Sequence, residues 1–395
     1  MNLTLPGQAD LFSLHVRQEV SALERLRSWL AYPGVARSIS ETQRNRYLTG
    51  IADHERELVA LLPAAAATVD TTVWEVLGPQ REDAARLRKE VFALVQGVLF
   101  NESALDGRLV EVARHLLAGL SRRSNLEDVV VPTVSPESES LNRTLELVRL
   151  RIPSQAVWEL PICVHEFGHH VTRALGAARS ERSVKPPIEL YIEDEAAFEA
   201  QLSNSTLEVA RSRLHELFAD AYATYAVGPA YPIACITCRI PADRVTRATA
   251  SHPSWLRRVY LMAATLDAMS DTTGLERYRM AADRSVRPLW RQLTGGALPE
   301  EGMGQYLTEM ARRIVTDLLR RHAANELLYA GGDQVMSITS MLAQSQDSAA
   351  LPSGTAVTHV LNAAWVWRLE HGDDMGRLGE TVNAYALGYC LRARS

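Results

Sequence analysis

The sequence is poor in several residue types whose scarcity excludes whole classes of protein. Lysine occurs only at Lys89 and Lys185, so that nearly all positive charge in this 395-residue chain is arginine. Lysine and arginine together number 42 against 47 aspartates and glutamates, which gives a formal net charge of -5. Non-specific binding of nucleic acid requires a basic surface. The charge balance therefore predicts no nucleic-acid partner.

Cysteines and long apolar runs are also scarce. Four cysteines in a chain of this length are too few for a disulfide framework. No stretch approaches the roughly 18 to 20 consecutive apolar residues that a transmembrane helix needs. Residues 1–10 lack the basic and apolar regions of a signal peptide. We therefore expect a soluble protein of the reducing cytoplasm, without a membrane span.

Apolar residues at helical spacing occupy most of the chain. They recur every three or four positions from residue 11 to about residue 122, and again beyond about residue 270, which is typical of amphipathic helices. Residues 145–152 instead alternate as in a strand with one wet face. We predict three regions: a helical one over 1–125, a core of mixed helix and strand over 126–270, and a helical one over 271–395.

The central region contains a motif with the spacing of a metal site. His165, Glu166 and His169 form the pattern His-Glu-x-x-His on a segment whose other residues are apolar at helical spacing. Because a helix turns every 3.6 residues, both imidazoles project from one face and can bind one zinc ion. Glu166 is rotated by only about 100°, so that its carboxylate can deprotonate a water beside the metal. By itself, the pattern also occurs on solvated helix faces that bind no metal.

A second helical segment, residues 206–227, supplies a candidate third ligand. A catalytic zinc normally has three protein ligands and a water. Glu216 and Asp220 lie four residues apart and share one face of this segment. We predict that Glu216 binds the metal, while Asp220 accepts a hydrogen bond from the ring of His165. Both carboxylates interrupt an apolar stripe, where burying them without a cation would be costly.

With a third element, these motifs resemble a known family. His252 is followed by a proline, and Arg258 comes six residues after the histidine. The order of the three motifs resembles that of the gluzincin metallopeptidases, above all the relatives of CAAX-prenyl endopeptidases and HtpX-type heat-shock proteases. The resemblance covers about residues 145–265. It implies a mainly α fold in which a small zincin-like α+β core with a small sheet is flanked by helical regions.

The resemblance also implies an activity, that of a zinc-dependent endopeptidase with an intracellular protein or peptide substrate. Zn²⁺ would be the cofactor, Glu166 the general base, and His252 and Arg258 the groups beside the oxyanion. Three tyrosines are further candidates for the oxyanion donor, although none of them belongs to a motif of the family: Tyr222, Tyr225 and Tyr231. Many relatives lie in a membrane, so that the lack of a spanning segment here argues against membrane-embedded or prenylated substrates.

Other interpretations of the motifs stay open. One is a catalytically silent zincin-like scaffold that binds a partner through its helical flanks, and another is a zinc hydrolase that does not cleave peptides. A structural zinc has no need of the base that Glu166 supplies, which favours an enzyme. For an intracellular peptidase we expect regulation, by the flanks or by a protein partner.

Two further features have mainly structural interpretations. Cys235 and Cys238 form a Cys-x-x-Cys without a second pair, which favours packing over a metal or redox role. The sequence between residues 186 and 210 is acidic and contains neither lysine nor arginine. We interpret it as a solvated helix face, the alternative being a lid over the cleft.

Overall fold

The computed structural model describes eleven segments of the chain. They are residues 8–62, 71–102, 108–126, 131–134, 140–142, 147–150, 156–177, 187–322, 326–345, 350–372 and 377–394. Packing divides the chain into two compact units. The first contains Met1–Asp106, Thr133–Ser138 and Asn142–Arg151, and the second contains Gly107–Pro132, Glu139–Leu141 and Ile152–Ser395. The predicted boundaries at 125/126 and 270/271 both fall at residues of the second unit.

The described residues of the first unit form four helices. They are α1 (Gln8–Leu30), α2 (Pro33–Ser38), α3 (Glu41–Ala60) and α4 (Thr71–Glu102). Helix α3 begins at a capping box, in which the Ser40 hydroxyl accepts from the Gln43 N–H and the Gln43 side chain accepts from the Ser40 N–H. Leu23, Leu26 and Leu30 are buried, so that the helical spacing seen in the sequence is confirmed in this unit.

Three short strands follow in the chain. They are β1 (Val131–Val134), β2 (Ser140–Asn142) and β3 (Leu147–Leu150), and they pair in the order β1-β3-β2. The strand predicted over residues 145–152 corresponds to β3. Most of the residues of these strands belong to the first unit.

The predicted zincin-like α+β core with a sheet is wrong. Helices account for 81% of the structure. From residue 156 onward the described residues form no strand, and their one β-bridge joins Ala356 to Arg394. Alternation in residues 145–152 identified extended chain correctly, but it carries no information on what that chain packs against. The fold that surrounds the His-Glu-x-x-His motif is therefore all-helical.

The second unit contains the remaining helices. They are α5 (Leu109–Arg123), α6 (Cys163–Ala177), α7 (Pro187–Leu202), α8 (Leu207–Val227), α9 (Ala230–Cys238), α10 (Trp255–Thr273), α11 (Arg277–Ala281), α12 (Arg287–Thr294), α13 (Glu301–His322), α14 (Asp333–Ala343), α15 (Val357–Glu370) and α16 (Arg377–Arg392). A 3₁₀ helix, Val157–Ile162, leads into α6, a second one spans Ala242–Arg244, and a π-helix, Ala282–Val286, joins α11 to α12.

Helix α8 runs through the centre of this unit. Every residue from Glu216 to Val227 is buried, and α6, α7, α10 and α13 pack around it. Its first turn is capped by the Thr206 hydroxyl, which accepts from the Val209 N–H. Gly228 ends the helix at a positive φ of 81°, a conformation that favours glycine. A helix buried on all sides is an unusual place for Glu216 and Asp220.

No helix among the described residues combines the length and the apolar character needed to cross a membrane. This agrees with the absence of a membrane span expected from the sequence. All four cysteines lie in the described part of the chain, and none of them forms a disulfide there.

Candidate metal centre

The candidate centre lies where helix α6 crosses helix α8. Gly168, inside the His-Glu-x-x-His motif, faces Ala219 on α8. A Cβ atom placed on Gly168 would lie 2.9 Å from the Ala219 Cα and 3.2 Å from its carbonyl oxygen. Because these are backbone atoms, they cannot turn aside as a flexible side chain would. Glycine at position 168 therefore permits the close helix crossing that brings the two motifs together.

Three side chains converge at this crossing. Nε2 of His165 lies 3.1 Å from Oε2 of Glu216, and Nε2 of His169 lies 3.3 Å from Oε1 of the same carboxylate. The rings of His165 and His169 are nearly perpendicular, with their centroids 4.8 Å apart. Both nitrogens therefore face a single carboxylate across a small gap, as the spacing of the two motifs predicts.

The donor set fits a divalent transition-metal ion. Ligands at about 2.0–2.1 Å from a tetrahedral ion stand about 3.3–3.4 Å from one another, close to the separations of Glu216 from the two imidazoles. Two imidazoles and a carboxylate are ligands that such ions accept. The Glu216 side chain is only 12% exposed, and its buried charge is offset by cations beside it, Arg258 at 3.9 Å and either a protonated His165 or a metal ion. His165, His169 and Glu216 would hold the ion, and the imidazoles alone do not identify which metal it is.

Glu166 lies beside this group. The ligand atoms of His165, Glu166 and His169 all lie within 4.8 Å of one another. Glu216 approaches the imidazoles at 3.1 and 3.3 Å, which makes Glu216 a candidate third ligand beside Glu166. In that position Glu166 can accept a proton from a water at the centre.

Asp220 holds His165 from the far side of its ring. Nδ1 of His165 lies 3.0 Å from Oδ1 of Asp220, the arrangement expected from the four-residue spacing on α8. The hydroxyl of Tyr231 donates to the same oxygen at 2.6 Å and lies 3.2 Å from His165 Nδ1. A carboxylate on the second ring nitrogen fixes the orientation of a ligating histidine and raises its basicity.

The charges around His165 favour its protonated form in the metal-free protein. Burial alone would lower the pKa of His165, but the charge of Asp220 and hydrogen bonds from Asp220 and Glu216 raise that pKa to about 10. Burial likewise opposes ionisation of Glu216, yet hydrogen bonds from His165 and His169 hold the pKa of its carboxyl well below the usual range. A metal ion at this place therefore competes with a proton on His165.

Arg258 neutralises Asp220. Its guanidinium on α10 donates from Nε to Oδ2 at 2.7 Å and from Nη2 to Oδ1 at 2.8 Å. The same group lies over the ring of Trp255, 4.2 Å from its centroid. Burial would raise the pKa of the Asp220 carboxyl, but Arg258 and His165 hold it well below its usual value. The contact with Asp220 supports a positioning role for Arg258, and the oxyanion role that the resemblance implies stays a prediction.

His252 reaches the centre from a loop. Its Nε2 lies 3.5 Å from Oε2 of Glu216, and its side chain is 51% exposed. The loop is folded by a hydrogen bond from the His252 N–H to the Thr249 hydroxyl, and Arg213 on α8 donates twice to the Thr249 carbonyl. The Ser251 hydroxyl lies 2.7 Å from His252 Nδ1. Burial lowers the pKa of His252, as does the charge of Arg258, so that this imidazole favours the neutral form.

Of the three tyrosines named from the sequence, only Tyr231 is seen to reach the group. The Tyr222 hydroxyl pairs with Ser124 at 2.8 Å, and the Tyr225 hydroxyl is buried without a hydrogen-bond partner among the described residues. Sequence reasoning missed the part played by Gly168 and did not rank Tyr231. A glycine within an amphipathic helix was the available sign of the role of Gly168. No spacing identifies Tyr231, because Gly228 interrupts the helix between Asp220 and Tyr231.

The acidic segment is more than a solvated face. Of its carboxylates, Glu199 on α7 is fully buried and accepts from Arg257 at 2.8 Å, while Glu195 pairs with Arg313 at the same distance. These contacts attach α7 to α10 and α13. The expectation of a solvated face is therefore wrong at Glu199. Cys235 is buried and Cys238 half-buried, and neither forms a disulfide with a described residue, in agreement with a packing role.

Comparison of the chain with protein-family models, with curated proteins and with solved structures found no match. The family resemblance therefore stays a prediction drawn from the motifs, and the function has to be argued from the geometry of the site.

Proposed function

We propose that this protein is a zinc-dependent peptidase. The observation that carries the proposal is the position of Glu216, whose two carboxylate oxygens face Nε2 of His165 and Nε2 of His169 at 3.1 and 3.3 Å. Glu166 lies next to these ligands on the motif helix. Two imidazoles and one carboxylate, with a second carboxylate beside them, are the donor set and base of the gluzincin peptidases that the motifs resemble.

The proposed reaction is hydrolysis of a peptide bond. Zinc, when bound by the three side chains, supplies Lewis acidity to a carbonyl group and to water. Glu166 accepts the proton from the attacking water and later gives it to the leaving amine. Asp220, held by Arg258, keeps the His165 ring in its ligating orientation throughout.

His252 is the proposed donor to the oxyanion that forms during hydrolysis. When the Ser251 hydroxyl donates to Nδ1, the ring proton of the neutral imidazole is on Nε2, the atom that lies 3.5 Å from Glu216. Because the neutral imidazole already has its proton on Nε2, this N–H can donate a hydrogen bond to the negative charge that develops on the substrate oxygen. Half of this side chain is exposed, which leaves room for a substrate carbonyl next to it.

The proposal includes a protein or peptide substrate, a location in the cytoplasm and control by a protein partner or by the helical flanks. The four cysteines, all of them in the described part of the chain, form no disulfide with one another, which supports a reducing compartment. Glu199 is buried and accepts a hydrogen bond from Arg257. This contact supports the interpretation that helix α7 is fixed in place and is not a mobile lid.

Metal content and cleavage together test the proposal. The proteins to compare are wild type, Glu166→Gln, His169→Ala and, as a carboxylate control, Glu208→Gln on the exposed first turn of α8. We expect about one zinc per chain in all but His169→Ala. Cleavage of a peptide library should fall at least about 100-fold in Glu166→Gln and be unchanged in Glu208→Gln.

Two results would overturn it. Full zinc content in His169→Ala would reject the assigned ligands. A zinc-loaded wild type that cleaves no peptide in the library would favour a silent scaffold, or a hydrolase of another bond.

A further inference from the structure

A cavity of about 850 Å³ lies within the second unit, between the end of α5, the start of α11 and the segment that precedes α14. Among the described residues, the lining has four arginines and one carboxylate, that of Glu326. The arginines are Arg122, Arg123, Arg277 and Arg394. The described lining is therefore rich in positive charge. None of these residues takes part in the metal centre.

The carboxylate does little to offset this charge. Glu326 lies 3.8 Å from Arg394, and the two side chains are 78% and 75% exposed, so that solvent screens the pair. Arg123 is more enclosed, and its Nε donates to the Gly119 carbonyl at 3.2 Å. Burial lowers the pKa of Arg123, and the charges of Arg122 and Arg394 lower it further. The protein thus holds several positive charges together at the mouth of one cavity. Their mutual repulsion is unfavourable, and a bound anion would offset it.

The cavity also contains an imidazole whose polar atoms are unsatisfied. His322, at the end of α13, is 2% exposed, and neither of its ring nitrogens has a hydrogen-bond partner among the described residues. Burial lowers the pKa of His322, as does the charge of Arg321, which favours the neutral ring. A buried polar group without a partner needs an explanation. His322 lines the cavity, and a rotation of its ring would bring an enclosed nitrogen within reach of an oxygen of a bound molecule.

The wall of the cavity is pinned in place. The Tyr329 N–H donates to the Tyr225 carbonyl at 3.0 Å, and the Tyr278 hydroxyl donates to the Tyr329 carbonyl at 2.6 Å. The Arg277 guanidinium lies over the Tyr278 ring, 5.2 Å from its centroid. A Cβ on Gly331, whose φ is 61°, would lie 3.4 Å from Arg277 Cδ. The guanidinium is therefore held by its surroundings before any ligand arrives.

We propose that this cavity binds a small phosphorylated molecule that carries more than one negative charge. Guanidinium groups bind phosphate oxygens in pairs of parallel hydrogen bonds, and their planar shape suits this ligand. The apolar side chains of Leu275, which is 38% exposed, and Leu319 offer a surface for the carbon part of such a molecule. A volume of about 850 Å³ lies in the range of small-molecule sites, about 300–1,000 Å³.

Calorimetry of the full chain with pyrophosphate, ATP and citrate tests this inference. The variants are Arg277→Gln and, as a matched control on the same helix, Arg279→Gln, whose arginine pairs with Asp271 at the surface. We expect pyrophosphate or ATP to bind wild type and Arg279→Gln equally, and Arg277→Gln at least about tenfold more weakly. Citrate is the control that distinguishes a site for phosphates from a site for carboxylates. If citrate binds more tightly than both pyrophosphate and ATP, the proposal of a phosphorylated ligand is wrong.

Further measurements keep the test decisive. Arg394→Gln, which changes an exposed side chain, should also weaken anion binding. It takes the place of Arg277→Gln in the test if Arg277→Gln lowers the melting temperature of the protein. The His169→Ala variant should bind the anions as wild type does, whether or not the protein is a peptidase. The inference is wrong if neither phosphate binds below about 5 mM, if both arginine variants bind like wild type, or if binding disappears in His169→Ala, since the anion would then occupy the metal centre.

Discussion

Gly168 lies against Ala219 so closely that a methyl group on the glycine would sit 2.9 Å from the alanine Cα. This contact sets the distance between the helix that carries both histidines and the helix that carries Glu216. The candidate metal centre thus depends on a residue that is not among its proposed ligands.

Replacing Gly168 by alanine should therefore weaken metal binding. The new methyl group has to move one helix away from the other, which we expect to cost about 1–3 kcal/mol of unfolding free energy and to lower zinc affinity by about tenfold or more. The control is Gly388→Ala on α16, where a Cβ meets nothing within 4 Å and should stabilise the helix by about 0.5–1 kcal/mol. Equal zinc affinity in the two variants would show that the crossing distance does not matter.

The pair formed by Asp220 and Arg258 should behave as one unit. Asp220→Asn leaves a buried guanidinium without its partner, and we expect a loss of about 3–5 kcal/mol of unfolding free energy, together with a fall of about 10–100-fold in zinc affinity. Adding Arg258→Gln to that variant should restore part of the stability. Denaturant unfolding of the two single variants and the double variant measures the coupling. Strictly additive effects would argue against the pair.

Zinc affinity should rise with pH. In the metal-free protein the pKa of His165 is raised to about 10, above its unfolded value of about 6.5. Its contribution to stability is thus fully present below about pH 6.5 and lost as the pH rises towards about 10. Because zinc displaces this proton, affinity measured against a competing chelator should rise by about tenfold per pH unit between about pH 6.5 and 8. Affinity that is constant over this range would contradict the protonated state.

His252→Ala should separate catalysis from metal binding. If the imidazole donates to the oxyanion, kcat should fall by about 100-fold, while KM and zinc content stay close to those of wild type. The half-exposed position of the side chain makes a general loss of stability unexpected. Loss of zinc in this variant would instead make His252 a fourth ligand, and the centre a closed, structural one.

Much of the site could be predicted from short-range spacing. Residues four apart on a helix share a face whatever the fold, so the sequence alone pairs His165 with His169, and likewise Glu216 with Asp220. The contact of Asp220 with His165 was predicted, but its second partner was not: Arg258 matched a motif, and the direction of its side chain depends on how α10 packs against α8. Tyr231 lies beyond a helix break and gave no periodic signal.

The fold was harder to predict than the site. Helical spacing identified amphipathic helices such as α1 and the buried leucines along it. The small sheet exists in the backbone pairing of β1, β2 and β3, yet the second unit holds the metal centre in helices alone. Which elements pack together is a long-range property, and neither the motif nor the alternation in residues 145–152 determines it.

The most direct test of the metal centre is to locate the metal. Crystals grown with zinc, measured at the zinc absorption edge, give an anomalous difference map that shows the ion independently of any assumed ligand. The account predicts one strong peak within about 2.0–2.2 Å of Nε2 of His165, Nε2 of His169 and a carboxylate oxygen of Glu216. A peak bound to the two histidines but not to Glu216, or no peak between α6 and α8, would contradict it.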